Sequence, residues 1–176
     1  GYLSDSIADS VENSIWQGTT GTSGQFDALS TSGMASSSAS GAYTAANIVA
    51  NLQTLAADIP ANVYGKEDLY IYMNKKTYRF YISAISALSA FPFNHMGQYT
   101  PEFEGIKIAV CPGVADNKMW AGTKSNVFFG TSLNSDLTAV KVLDMENLDG
   151  SNNVRMVAKW TAGVQVGVAA DFTHQG

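Results

Sequence analysis

The stretch from Asn152 to Phe172 constrains this chain most. Val154, Met156, Ala158 and Trp160 alternate with Arg155, Val157, Lys159 and Thr161. Beyond Ala162-Gly163, Val164, Val166 and Val168 alternate with Gln165, Gly167 and Ala169. A period of two means strands with one buried face. The Gly163 turn between the runs predicts an antiparallel hairpin. A two-stranded hairpin is marginal in water by itself, so the remaining residues must supply a surface for it.

Several segments could supply it. Leu3, Ile7, Val11 and Ile15 form one apolar stripe of a helix ending near Ser14, with Asp5, Asp9 and Glu12 facing water. Glycines 18, 21 and 24 then permit a reversal, and Phe26, Ala28 and Leu29 predict a short strand. Ser30 to Gly41 is Ser-rich with little to bury. Ordering backbone costs about 1–2 kcal/mol per residue, so this piece is expected to be mobile or a lobe boundary. Thr44 is the expected N-cap of a helix from Ala45 to about Asp58, buried through Ile48, Leu52, Leu55 and Ile59 and stopped by Pro60. Asp68 to Met73 alternates as a strand, and Asn74 caps a helix from Lys75 to about Leu88. Phe91-Pro92-Phe93 ends that helix. Ile106 to Val110 is a strand closed by Pro112-Gly113. Trp120, Val127 to Phe129 and Val140 to Leu143 belong to further strands, and Leu148 to Asn152 is a turn. This order is mixed α+β rather than strict βαβ alternation.

Composition excludes several functions. A net charge of −5 lacks the basic face that a dedicated nucleic-acid binder needs. The single cysteine allows no intrachain disulfide. No apolar run reaches the roughly 20 residues that span a bilayer. Only 14% of residues are charged, against about 25% in ordinary globular domains. Such a surface suits contact with other protein, or is a neutral one rich in Ser, Thr and Asn.

The search for chemistry returns little. Cys111, His95 and His174 lie far apart in sequence and form no metal-ligand pattern. Cys111, at a strand end, has the setting of a small buried hydrophobe rather than a nucleophile. Asp144, Glu146 and Asp149 are a solvated acidic turn, because Leu148 interrupts the ligand series of a calcium loop. The glycines after the first helix lack the Gly-Lys-Ser/Thr of a phosphate loop. No catalytic residue, cofactor or metal site is therefore expected. Lys75, Lys76 and Arg79 stand out in the first turns of a helix, where cations oppose the helix dipole by roughly a few tenths of a kcal/mol each. Arg155 and Lys159 share one strand face. Each set is either a solvated face or a contact for a partner's acidic edge, and all five are the candidate subunit-interface residues.

Certain segments, in their order, resemble the C-terminal part of the major capsid protein of tailed double-stranded-DNA bacteriophages. That fold is shared with encapsulins and the herpesvirus capsid floor. An amphipathic helix runs into Ile15-Trp16-Gln17-Gly18 as the family's spine helix runs into its Trp-x-Gly turn. Tyr70 to Thr77 is similar to its step from strand through Met-Asn to helix. Phe103-Glu104-Gly105-Ile106-Lys107-Ile108 resembles its Leu-x-Gly-x-x-Val strand, and Phe128 to Leu133 its aromatic-Gly-Asp strand, with Thr131 where Asp is often found. Arg155 to Phe172 resembles the closing hairpin.

The resemblance implies a peripheral part, residues 1–40 with 151–176, and an axial domain, residues 41–150, whose sheet is flanked by two helices. It implies a non-enzymatic shell subunit that self-assembles around five-fold and six-fold axes into an icosahedral capsid enclosing double-stranded DNA. The partners are then other copies of the chain, with no sequence-specific nucleic acid and no membrane. The location is the virion, after assembly in the host cytoplasm. The family's N-terminal arm and extended loop have no counterpart in these residues, so the chain reads as a fragment, itself monomeric or weakly associated. An encapsulin-like compartment shell and a phage or surface binding module are the alternative readings.

Overall fold

A computed structural model of the chain describes residues 2–19, 21–22, 24–87, 101–131, 140–146, 150–158 and 161–176. Its helices are α1 (Tyr2–Gln17), α2 (Ile48–Ala57) and α3 (Lys75–Ala87). Its strands are β1 (Ala35–Ser37), β2 (Leu69–Met73), β3 (Glu102–Phe103), β4 (Ile106–Val110), β5 (Met119–Thr123), β6 (Val127–Thr131), β7 (Val140–Asp144), β8 (Val154–Ala158), β9 (Ala162–Val166) and β10 (Thr173–Gln175). A six-stranded sheet runs β1-β10-β5-β2-β4-β3, and two separate ladders pair β6 with β9 and β7 with β8. The α+β class expected from the sequence is the class observed.

β2 sits inside the sheet, parallel to β4 and antiparallel to β5. Its alternation sorts two cores. Leu69, Ile71 and Met73 join Ile48, Leu52, Leu55, Ile59, Val63 and Tyr81 in a core that α2 and α3 cover. Tyr72 points the other way, toward Trp16, Trp120, Leu29, Val166 and Phe172. Ile48, Leu52, Leu55 and Ile71 are fully buried, each stabilising the fold by about 1.5–3 kcal/mol relative to an exposed side chain. β4 returns parallel to β2, a topology that requires a crossover, and α3 lies in it. β3 and β4 meet through Glu104-Gly105, both at positive φ (50° and 80°), the backbone that a two-residue hairpin with right-handed twist requires.

Four local expectations are corrected. α1 continues past Ser14 to Gln17, because the Ser14 hydroxyl bonds back to Ser10 O (2.8 Å) and so stays satisfied inside the helix. Phe26 to Leu29 forms no strand; Leu29 N instead donates to Ile15 O (2.9 Å), holding the segment against the end of α1. Helix α2 begins at Ile48 with Asn47 at its N-cap, not at Thr44, because Asn47 Oδ1 accepts from Thr44 N (2.8 Å) and closes a turn first. The Ser-rich segment is ordered where β1 pairs parallel with β10. Gln175, fully buried, donates from Nε2 to Ser37 Oγ (3.1 Å) and Ser38 O (3.3 Å) and accepts from Tyr43 Oη (2.9 Å). Ladder bonds and a buried amide anchor that segment, with Met34 and Ala39 packed against the two cores.

The fifth correction concerns the hairpin. β8 and β9 do not pair with each other: β8 pairs with β7 and β9 with β6. Gly163 lies within β9, opposite Gly130, and is no turn. The reversal falls instead between β7 and β8, where Gly150 takes φ 73°, Gly150 N bonds Glu146 O (3.1 Å) and Met145 N bonds Asn153 O (3.0 Å). The two ladders are therefore nested in sequence. β1 and β10 share a sheet with β2 and β5.

Candidate assembly interface

The nested ladders begin at a well-anchored base. The Asn126 side chain accepts from Val168 N (2.8 Å) and donates to Val168 O (2.8 Å), while Gly167 N bonds Asn126 O (2.9 Å). On one side of the β6–β9 ladder, Val166 is buried and Val164 half-buried, and Phe129 meets the Phe26 ring edge-on at 6.2 Å. On the other side, Phe128 stays 59% exposed.

The β7–β8 ladder is barer. Register places Val142 and Asp144 with Val154 and Met156 on one face. Val142, Val154 and Met156 are 61%, 65% and 58% exposed, so the buried face expected for this run is uncovered within the chain. The opposite face carries Lys141, Leu143, Arg155 and Val157, with both cations exposed. Arg155 faces Leu143 directly, and Lys141 is its diagonal neighbour.

The other candidate cations sit elsewhere. Asn74 Oδ1 accepts from Thr77 N (2.7 Å), the helix cap expected from sequence. Asn74 Nδ2 donates to Asp116 Oδ1 (2.7 Å), and Lys76 Nζ reaches Asp116 Oδ2 (2.6 Å). Lys76 and then Asn74 hold the Asp116 carboxyl below its ordinary value. Asp116 thus offsets a cation in the first turn of α3, so Lys76 meets an acid of its own chain. Lys75 and Arg79 remain exposed and, among the described residues, form no ion pair. Lys159 lies outside the described residues, as does His95. Strand β8 and helix α3 therefore present the candidate cations as two separate sets.

Lys141 was missed from the sequence, although its alternation with Val140 and Val142 places it on a strand face. The charge distribution was legible too. All 10 Lys and Arg residues lie beyond residue 65, where carboxylates balance them, so the formal charge of −5 resides in residues 1–65. Asp5, Ala8, Asp9 and Glu12 share one face of α1, and the first three are exposed. Glu12 accepts from Trp16 Nε1 (3.1 Å).

Two titratable groups singled out in the sequence, Cys111 and His174, are shifted by burial. Burial, with the Glu12 charge, pushes the Cys111 thiol up to about 12, so it stays protonated at neutral pH. His174 lies against Trp120, and burial followed by the Lys118 charge lowers its pKa. Among the described residues, no three His, Cys, Asp or Glu side chains are grouped to hold a metal ion. No helix among them is long and apolar enough to cross a membrane.

A chain of the solved structure "Mycobacterium phage Che8" matches with a TM-score of 0.61 at 11% identity, covering 83% of this chain and 54% of that one. A chain of the "Capsid of empty GTA particle computed with C5 symmetry" matches with a TM-score of 0.58 at 14% identity, covering 99% of this chain and 64% of that one. The chain thus has a phage major-capsid-like fold and spans 54% and 64% of the length of the two solved chains it matches. No protein-family model matches the sequence. No curated protein sequence matches it either.

Proposed function

We propose that this chain is a structural subunit of a capsid shell that encloses double-stranded DNA in a tailed phage or prophage. The likeness of its fold to a chain of a mycobacteriophage structure and to a chain of an empty GTA particle's capsid carries the reading. The bare apolar face of the β7–β8 ladder supports it, since such a face is stabilised by contact with other protein. So does the low charge, which lets copies approach with little desolvation cost. Its partners are copies of itself, arranged as pentamers and hexamers of an icosahedral shell. Its role needs no catalytic group and no cofactor, and its location is the virion, after assembly in the host cytoplasm.

Expression of the full-length protein followed by negative-stain electron microscopy tests this. Uniform hollow shells tens of nanometres across are expected. Dispersed monomers at high concentration, with and without the scaffolding protein of the same phage, would sink the reading. Shells loaded with an enzyme and lacking DNA would replace it with a compartment shell.

A further inference from the structure

We infer that the cationic face of the β7–β8 ribbon docks on the acidic face of α1 from a second copy of this chain. The inference rests on the shell reading and names the partner surface within it. Lys141 and Arg155 are exposed on one ribbon face, with Leu143 and Val157 between them. Diagonal residues across an antiparallel ladder lie roughly 7–8 Å apart. Asp5 and Asp9 are exposed on α1 one turn apart, roughly 5–6 Å between their Cβ atoms. Long basic side chains bridge that difference without strain.

Charge selects the occupant. Residues 1–65 carry carboxylates and no Lys or Arg, so no cation of that segment competes for Asp5 and Asp9. The described residues contain one ion pair, Lys76 with Asp116, and it involves neither surface. Ala8 is the small, exposed residue beside Asp5 and Asp9, and it leaves room for Leu143. Two ribbons meeting through this face would oppose like charges, as would two α1 helices. Ribbon on helix is the combination that opposes unlike charges. Because the two surfaces differ, each docking event leaves one of each free, and the copies close into a ring or run on in a row.

The test uses charge reversal in the full-length protein. Lys141→Glu with Arg155→Glu, and separately Asp5→Lys with Asp9→Lys, are expected to cut shell yield at least tenfold. Combining all four is expected to restore it to within about threefold of wild type. Circular dichroism checks that each variant is folded. Wild-type yield from either reversal, or no recovery in the combination, overturns the docking while leaving the shell reading intact. A second measurement does not depend on shells forming. Ala8→Cys and Leu143→Cys proteins, prepared separately without Cys111 (Cys111→Ser), are mixed at low salt under mild oxidation. A disulfide joining the two populations, lost as salt rises and screening shortens from about 10 Å at 0.1 M, supports the contact. Absence of that disulfide overturns it, whether or not the wild type forms shells.

Discussion

β2 and β8 carry the same kind of sequence and meet opposite fates. Each sets apolar residues at alternate positions on one face, Leu69, Ile71 and Met73 in β2 and Val154 and Met156 in β8. In β2 the apolar set is buried: Ile71 and Met73 are 0% exposed. In β8 it is bare, with Val154 at 65% and Met156 at 58%. The difference lies in the neighbours. β2 has a strand on each side and helices α2 and α3 over one face, whereas β8 has one strand beside it. Periodicity specifies that a strand has two unlike faces. It does not specify which chain covers the apolar one.

The largest test of this contrast is truncation of matched residues. Ile71→Ala should lower the unfolding free energy by about 2–5 kcal/mol in urea titration, the usual cost of a core cavity. Met156→Ala should change it by less than about 0.5 kcal/mol in the isolated chain. Equal costs would erase the distinction. A second test probes how tightly the main sheet is packed. A Cβ at Gly122 would lie 2.2 Å from the Phe172 ring, so Gly122→Ala should cost about 1–3 kcal/mol by overpacking. Adding Phe172→Leu should recover part of it, measured as a double-mutant cycle. The equivalent change at Gly163 in the β6–β9 ladder, where a Cβ would meet nothing within 4 Å, should be nearly silent.

Smaller effects sharpen the comparison at the edge of the core. Asn74→Ala removes the cap of α3 and should cost about 1 kcal/mol by thermal unfolding. The smallest effect is electrostatic. A depressed carboxyl contributes stability that is full above its unfolded pKa and lost as pH falls through the folded one. Asp116 has that sign, with Lys76 as the first cause and Asn74 as the second. Lys76→Met should therefore raise the pH at which Asp116 titrates, read by carbon-13 NMR, and slightly narrow the acid range in which the fold persists. An unmoved titration would show that Asn74 alone sets the value.

Local features of this fold were legible where the information itself is local. The alternation of β2, the Asn74 cap and the stripe Ile48, Leu52, Leu55 and Ile59 each involve residues within a few turns of one another. Pairing choices were not legible. β8 lies next to β9 in sequence, yet its partner is β7, because the chain reverses between Asp144 and Val154 while Gly163 stays inside β9. β1 was obscured because Ser37 owes its burial to Gln175, far along the chain. The residues of the proposed contact were half legible. Arg155 was marked by its charge, but Lys141 becomes its neighbour only once the register is known. The acid-only segment before residue 66 was open to simple counting.

The same long reach has a consequence for how the protein is made. β10 lies between β1 and β5, and Ser37 and Gln175, which bond within that sheet, are 138 residues apart. A ribosome adding about 5–20 residues per second takes roughly 7–28 s to cover that interval. Throughout it the nascent chain holds β1 without β10, and once residue 123 is made it holds β5 without β10 as well, each offering an open edge to any other chain nearby. On a polysome those neighbours are identical nascent chains. Chaperone cover during that interval, more than the finished fold's stability, then sets how much protein escapes premature pairing.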